Sequence, residues 1–290
     1  MMNDNDNVNA SELTKRRIKL ELAYDGSDFH GWQVQQDTAI TKTQPRSRPL
    51  PTVQGCIETA LERLLHHPVR ILGSGRTDKG VHALKQVATF STTRDYKPEI
   101  ICTALNAFLP PTIRIWNAVE VPLSFHPIRD VIGKRYRYII DDAWTPFPFL
   151  RQYVWQCQKK LDVDLMREAA SQLLGTHDFA AFQTSGSPRD TTVRTVSGIK
   201  VERTENFGVW QTASNRSLIV FEIEADGFLY NMVRTIVGTL SKISAVTKQN
   251  NITTRTEKIQ RMQTILNSRD RTQAGVTAPP HGLYMLDVKY

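Results

Sequence analysis

The sequence predicts an α+β fold of two ferredoxin-like halves, each with the element order β-α-β-β-α-β. Three observations predict it. Between residues 17 and 123, strand-like segments of alternating apolar and charged residues are interleaved with two helical segments. The same order of elements returns between residues 124 and 290. The chain has 290 residues, which is enough for about two domains of ordinary size. We therefore expect a cleft between two halves that divide near residue 123.

The first half follows a polar segment, residues 1–16, that is predicted to be a disordered tail. Thr52 is suited to cap the first helix and Pro68 to stop it, while Pro98 suits the start of the second helix. An irregular, proline-rich segment, 36–51, is predicted to be a basic insertion. The elements are predicted, in order, as a strand at 18–22, a helix from 53 to 65, strands at 69–72 and 86–90, a helix from 98 to 108 and a strand at 113–121.

The second half repeats this order without sequence identity to the first, so the repeat is inferred from the order of elements alone. Gly175 is expected to end its first helix. Its elements are predicted as a strand at 134–140, a helix at 165–174, a strand pair at 193–201 and 218–223, an apolar-faced helix at 229–243, an extra helix at 259–266 and a last strand at 283–288.

Composition excludes several classes of protein. No apolar run approaches the ~18–20 residues that would span a bilayer, and residues 1–10 lack the apolar stretch of a signal peptide. The three cysteines are odd in number and form no CxxC pair, which argues against a disulfide framework and a zinc cluster. We therefore expect a soluble, reduced, cytoplasmic protein.

The charge balance favours a polyanionic partner. Lys and Arg total 37 against 29 Asp and Glu, a formal net charge of +8. Nucleic acid is the first candidate for such a partner, although many basic proteins bind none. Both interpretations stay open on charge alone.

The most unusual segment is 73–83, with the sequence GSGRTDKGVHA. It is not a dinucleotide fingerprint, because Asp78 stands where the third glycine is needed, and it lacks the lysine and Ser/Thr that follow Gly80 in a P-loop. What remains is a glycine-framed loop in which Arg76, Asp78 and Lys79 are almost adjacent. Two interpretations stay open: a reactive loop, or a polar turn in which Asp78 bonds to its own backbone.

The strand at 134–138 (KRYRY) carries its two tyrosines on one face and its two arginines on the other. That pattern suits base stacking and phosphate contact. It suits equally a tyrosine pair in a sheet core with the arginines outside.

Arg234 is the only charged residue from Gly227 to Ser241, and it lies at the edge of a buried helix face. A buried arginine needs a carboxylate partner, for which Asp78 is a candidate. The alternative is that its side chain snorkels to solvent.

Several segments, in order along nearly the whole chain from Lys19 to Tyr290, resemble the bacterial tRNA pseudouridine synthase A (TruA) family. The Arg-Thr-Asp-x-Gly-Val-His pattern is highly specific to that family. The matching segments are YDG at 24–26, GWQ at 31–33, TVQ at 52–54, GRTDKGVHA at 75–83, FH at 125–126, RYRY at 135–138, MVR at 232–234, IVG at 236–238 and GLY at 282–284.

The resemblance implies two α+β halves, residues 17–123 and 124–290, joined in one largely antiparallel sheet with a central active-site cleft. It implies a homodimer that uses no metal or organic cofactor. It also implies that uridine is isomerised to pseudouridine at positions 38, 39 and 40 of the tRNA anticodon stem-loop.

The resemblance also implies the site residues. Asp78 matches the catalytic aspartate and is expected to act as the nucleophile, and Arg234 matches the arginine that pairs with it. Tyr136 matches the active-site tyrosine, which is suited to stack on the uracil. Arg76 matches an arginine associated with nucleotide flipping. Whether the carboxylate attacks the nucleotide or removes a sugar proton stays open.

Two alternatives to this function are a non-catalytic RNA-binding protein of the same fold and a phosphate-binding NTPase, which would lack its lysine. The segment 36–51 is longer than the connector usual in the family. Its basic residues Lys42, Arg46 and Arg48 either extend an RNA-facing surface or lie in a solvated loop. In the first case, replacing them with Gln would make binding less dependent on salt.

Overall fold

The computed structural model describes residues 14–34, 51–184, 191–205, 216–246 and 254–290. Five α-helices lie in the described residues: α1 (Val53–Leu65), α2 (Pro98–Phe108), α3 (Val163–Ser171), α4 (Met232–Ser244) and α5 (Arg255–Ser268). The strands are β1 (Arg16–Tyr24), β2 (Leu72–Gly73), β3 (His82–Thr92), β4 (Ile113–Val121), β5 (Gly133–Asp141), β6 (Trp155–Gln156), β7 (Gly175–Asp178), β8 (Val193–Thr204), β9 (Leu218–Ala225) and β10 (Leu283–Lys289).

All ten strands form one sheet, whose main path runs β4-β1-β3-β10-β5-β9-β8-β7. Strand β2 pairs with β3, and β6 pairs with β5. The pairings of β10 with β3 and of β6 with β5 are parallel, and the others are antiparallel. This mostly antiparallel sheet with separate helices agrees with the predicted α+β class. Strand β10 lies between β3, the nearest strand of the first half of the chain, and β5, the nearest strand of the second half.

The elements follow from local sequence. In β1, Ile18, Leu20 and Leu22 alternate with charged residues and are fully buried. Thr52 caps α1 as predicted, because its side chain accepts a hydrogen bond from the Gly55 N–H. The helix ends at His66, which has left-handed backbone angles.

The structure differs from the prediction at several points. The strand expected at 69–72 is reduced to Leu72–Gly73. Helix α3 ends at Ser171, and Gly175, with φ of +95°, starts β7 instead of ending the helix. The short strands β6 and β7 were missed. Strand β1 begins at Arg16, inside the predicted tail. The rest of that tail up to residue 13, and residues 35–50 with Lys42, Arg46 and Arg48, lie outside the described residues.

Candidate active site

Asp78 lies in the connection between β2 and β3, here called the Asp78 loop (residues 74–81). Side chains from two strands hold its start. The buried amide of Gln86 donates to the Gly75 carbonyl at 2.9 Å and accepts from the Ser74 hydroxyl at 2.5 Å. Lys134 on β5 donates from Nζ to the Ser74 carbonyl at 2.8 Å. These bonds fix the backbone three to four residues before the aspartate.

The segment that follows β1 holds the middle of the loop. The Trp32 N–H donates to the Thr77 carbonyl at 3.0 Å, and the hydroxyls of Tyr24 and Thr77 are 2.7 Å apart. Gly31 has φ of +85°, and a Cβ added there would stand 2.7 Å from the Thr77 carbonyl oxygen. Only glycine therefore allows the backbone at residue 31 to come this close to the backbone at Thr77. The YDG and GWQ segments thus position the residue before Asp78.

The Asp78 loop is closed by its backbone. The Val81 N–H donates to the Asp78 carbonyl at 3.1 Å, and Gly80 has φ of +80°. The turn interpretation of this segment is confirmed, although the closing bond is to the Asp78 carbonyl and not to its side chain, and the reactive loop stays a prediction. The segment is a tight turn, and the carboxylate of Asp78 is directed to Arg234.

Arg234, in the first turn of α4, donates to three oxygens from separate segments. Its Nη1 lies 3.0 Å from Asp78 Oδ2 and 2.7 Å from Asn231 Oδ1. Its Nε donates to the Ala278 carbonyl at 2.7 Å. Only 14% of the side chain is exposed, so the guanidinium lies inside the protein and contacts Asp78.

The two tyrosines of β5 share a buried face and differ in role. Tyr138 is fully buried, and its hydroxyl donates to the Pro279 carbonyl at 2.7 Å, so it belongs to the core. Tyr136 lies edge-on to Phe228 with ring centroids 5.0 Å apart and lines a cavity with Asp78. Burial, with Tyr24 and Asp78 nearby, raises the pKa of Tyr136 well above its ordinary value. Its hydroxyl is therefore protonated at neutral pH.

Asp78 lies between two open cavities. The aromatic cavity, of about 1090 Å³, contains all four predicted site residues, Asp78, Arg234, Tyr136 and Arg76, and is also lined by Phe228. The basic cavity, of about 1370 Å³, shares Asp78, Arg76 and Arg234 with it and is also lined by Arg70, Lys79 and Arg151. Each is large enough for a small-molecule group the size of a nucleotide.

Sequence reasoning missed the residues that hold these side chains in place. Gln86, Lys134 and Asn231 were assigned no role. A glutamine before the apolar run of β3 is a usable signal, since a buried amide needs partners. Lys134 and Asn231 gave no such signal, because both residue types are common on surfaces.

Two other kinds of feature are absent from the described residues. No group of three or more His, Cys, Asp or Glu side chains is placed to hold a metal ion there. No helix in that part of the chain is long and apolar enough to cross a membrane.

Comparison with known proteins gives consistent matches. The family model described as "tRNA pseudouridine synthase" matches residues 22–129 and 169–290. The protein named "tRNA pseudouridine synthase A" of Thermoanaerobacter sp. (strain X514) is 40% identical over 275 residues, which cover 95% of this chain and 100% of that protein. The protein of the same name from Acetivibrio thermocellus is 41% identical over the same shares. That of Methylacidiphilum infernorum is 38% identical, covering 94% of each chain.

Proposed function

The chain belongs to the tRNA pseudouridine synthase family of isomerases, and we propose that its target uridines are those at positions 38, 39 and 40 of the anticodon stem-loop. The coarser activity, conversion of uridine to pseudouridine in tRNA, follows from the family itself. The finer assignment is supported by the ordered resemblance to TruA and by relatives named tRNA pseudouridine synthase A.

The single observation that supports the site assignment is the contact of Asp78 with Arg234 between the two cavities. Pseudouridine forms when the N1–C1′ bond breaks, the uracil rotates, and C5 joins C1′ while the C5 proton leaves and N1 gains one. An ionised carboxylate at the edge of a base-sized cavity is suited to start this exchange. Asp78 is therefore assigned as the catalytic nucleophile; attack on the sugar, attack on the base and removal of a sugar proton are the steps open to it.

The other three residues receive roles that match their surroundings. Arg234 orients the Asp78 carboxylate. Tyr136 presents its ring to the aromatic cavity, where it offsets part of the cost of unstacking the uridine. Arg76 is exposed and lines both cavities, which suits a side chain that takes the place of the flipped nucleotide.

The basic cavity supports a polyanionic substrate. Arg70, Lys79 and Arg151 line it and are exposed to solvent, Arg70 while paired with Glu58 at 3.1 Å, so positive charge faces the cavity. Phosphate contacts supply much of the affinity of proteins for nucleic acids without reading sequence. The target nucleotide then has an aromatic cavity for its base and a basic cavity for the adjoining backbone.

We also propose that residues 17–123 and 124–290 form two ferredoxin-like subdomains and that the protein is a homodimer. The element order β1-α1-β2-β3-α2-β4 supports the first subdomain. The homodimer rests on the resemblance to TruA, and light scattering coupled to size-exclusion chromatography tests it.

The position of the target is tested with transcripts of one tRNA that carry C5-tritiated uridine. In three transcripts, uridine stands at position 38, 39 or 40 alone and cytidine at the other two positions; in the fourth, all three positions are cytidine. We expect tritium release from the first three and none from the fourth. Release from the fourth transcript would contradict the assignment of positions without contradicting the family.

A further inference from the structure

Asn231, directly before α4, has a left-handed backbone. Its φ is 62° and its ψ is 5°, in a region that costs free energy for residues other than glycine, although asparagine adopts it more often than most. An asparagine at this N-cap position commonly accepts a hydrogen bond from a backbone N–H two or three residues further on. Its side chain makes no such bond here. The residue therefore keeps a strained backbone without serving as a cap.

The Asn231 amide instead binds two side chains, one in the first turn of α4 and one 47 residues away in the chain. Its Oδ1 accepts from Arg234 Nη1 at 2.7 Å, and its Nδ2 donates to the Thr184 hydroxyl at 2.9 Å. Because arginine only donates, the amide must turn its oxygen to Arg234, which leaves its nitrogen for Thr184. The Thr184 N–H in turn donates to the Tyr230 carbonyl at 3.2 Å. The orientation of the amide is thus fixed at both ends.

The contact with Asn231 restricts the guanidinium of Arg234. The Ala278 carbonyl holds Nε at 2.7 Å, and Asn231 holds Nη1. A planar group held at two of its nitrogens has little rotational freedom left. The same Nη1 then lies 3.0 Å from Asp78 Oδ2. Without the Asn231 amide, the Ala278 carbonyl at Nε would be the one remaining partner of the guanidinium besides Asp78 in the described part of the chain.

We propose that Asn231 is a positioning residue that acts through Arg234 to orient Asp78, with Thr184 fixing the amide. The inference rests on the proposed function, because it assumes that the Asp78 carboxylate reacts with the nucleotide. Asn231 itself is assigned no contact with the reacting atoms. Its strained backbone is explained by the direction that it gives to the amide.

Asn231→Gly is the most direct test, because glycine accepts the left-handed backbone and removes only the amide. We expect a 10- to 50-fold fall in the single-turnover rate of tritium release, with the Kd for tRNA within twofold of the parent. His66→Gly is the matched control, since His66 has φ of 60° at the far end of α1. Both variants are expected to unfold at or above the parent temperature, and the control to retain the parent rate.

Two further variants separate positioning from a general structural effect. Thr184→Val removes the partner of the amide and is expected to lower the rate three- to tenfold. In an Arg234→Lys background, Asn231→Gly is expected to lower the rate by less than twofold, because the group that it positions is already gone.

The inference is overturned if Asn231→Gly retains the rate of the His66→Gly control, or if the losses from Asn231→Gly and Arg234→Lys multiply. Parent protein that releases no tritium from tRNA would instead overturn the proposed function. The two failures are therefore distinguishable in one assay.

Discussion

Arg234 joins oxygens of Asp78 and Ala278, which are distant in sequence, to an oxygen of Asn231, three residues before it. A guanidinium does not lose its proton inside a protein, so each of these oxygens faces a permanent donor. If the arginine were removed, the Asp78 carboxylate, the Asn231 amide and the Ala278 carbonyl would all lose a hydrogen-bond donor. The local stability of the site and the orientation of Asp78 therefore depend on the same side chain.

Arg234→Met keeps much of the volume of the stem and removes every donor. We expect the rate of pseudouridine formation to fall on the order of 10²–10³-fold, as when a positioned donor is lost from an active site. The free energy of unfolding should fall by about 1–3 kcal/mol, because acceptors are left unpaired. Tritium release and urea denaturation measure the two effects.

The matched control is Arg137→Met, which removes an arginine of β5 that pairs with Glu222. This variant is expected to keep the parent rate. Equal rates for the two variants would show that Arg234 plays no special part.

The role of a residue could be predicted where the residues next to it in sequence made it stand out. Arg234 could be singled out because it is the one charged residue from Gly227 to Ser241, and the need of a buried charge for a partner made Asp78 a candidate. Tyr136 and Tyr138 could not be told apart, because alternation places both on one face. Their difference comes from Phe228 and Pro279, which belong to segments far away in sequence.

Among the elements, the segment after β1 contacts the Asp78 loop and fixes its position. Gly31 is a close point of contact beside Asp78, because no side chain fits between it and Thr77. The position of Asp78 thus depends on a backbone contact with a residue 46 to 47 positions away in the chain.

Gly31→Ala is expected to destabilise the protein by about 1–3 kcal/mol, from the left-handed backbone and the contact with Thr77. The loop must shift to admit the methyl group, so activity should fall at least tenfold. Gly175→Ala is the matched control: its φ is +95°, and the nearest atom to an added Cβ is His177 Nε2 at 3.7 Å. Thermal melts should show a loss of stability in both variants, and tritium release a loss of activity only at Gly31. Full activity of Gly31→Ala would contradict the assigned position of the loop.

The turn after β1 also couples stability to pH. His82 beside Asp25, together with hydrogen bonds from Ser27 and Tyr153, holds the pKa of the Asp25 carboxyl well below its ordinary range. The hydrogen bond to Asp25 in turn raises the pKa of Tyr153 to about 12. Between the folded and unfolded pKa values of Asp25, the unfolded chain binds more protons, so stability falls as pH falls.

Asp25→Asn removes this carboxyl. The unfolded pKa of an aspartate is about 3.9, so the contribution of Asp25 is complete near neutral pH and is lost progressively below about pH 5. We expect the parent to be more stable than Asp25→Asn at pH 7, and the difference to shrink towards pH 3. Urea denaturation at several pH values measures it. A difference that grows as pH falls would mean that the pKa of Asp25 is not lowered by folding.

Long elements with a clear period were predicted well, and short polar ones were not. Helices α1 and α2 and strand β4 have strong periodicity, and the structure gives them the expected bounds. Strand β7 has four residues, Gly-Thr-His-Asp, with no apolar alternation. It forms a strand because it pairs with the edge of β8. The four residues themselves do not indicate that this edge is nearby.

At the scale of the whole molecule, the last strand connects the two parts of the sheet. Met285 on β10 pairs with Ala83 on β3 and with Tyr136 on β5. Its Cε also lies 3.7 Å from where a Cβ of Gly75 would stand, beside the Asp78 loop. No local pattern predicts this placement, because it joins residues about 200 positions apart in sequence.

Met285→Ala is expected to lower the free energy of unfolding by about 2–5 kcal/mol, from the transfer of a buried side chain and the cavity left behind. Met262→Ala, on α5, is the matched control, because both methionines are fully buried. Urea denaturation should show similar losses in both variants. Activity should fall only for Met285→Ala, since Met262 lies on another element. Equal activity in the two variants would contradict a role for β10 in holding the site together.

The central claim is that the Asp78 carboxylate isomerises uridine in tRNA. Tritium release from C5-labelled tRNA, measured for the parent and for Asp78→Asn together with the Kd of each for tRNA, tests it most directly. The account predicts release by the parent without added metal or nucleotide, release by the variant reduced on the order of 10³-fold or more, and Kd values within a few fold. Substantial pseudouridine formation by Asp78→Asn would contradict the account and assign the chemistry to another residue.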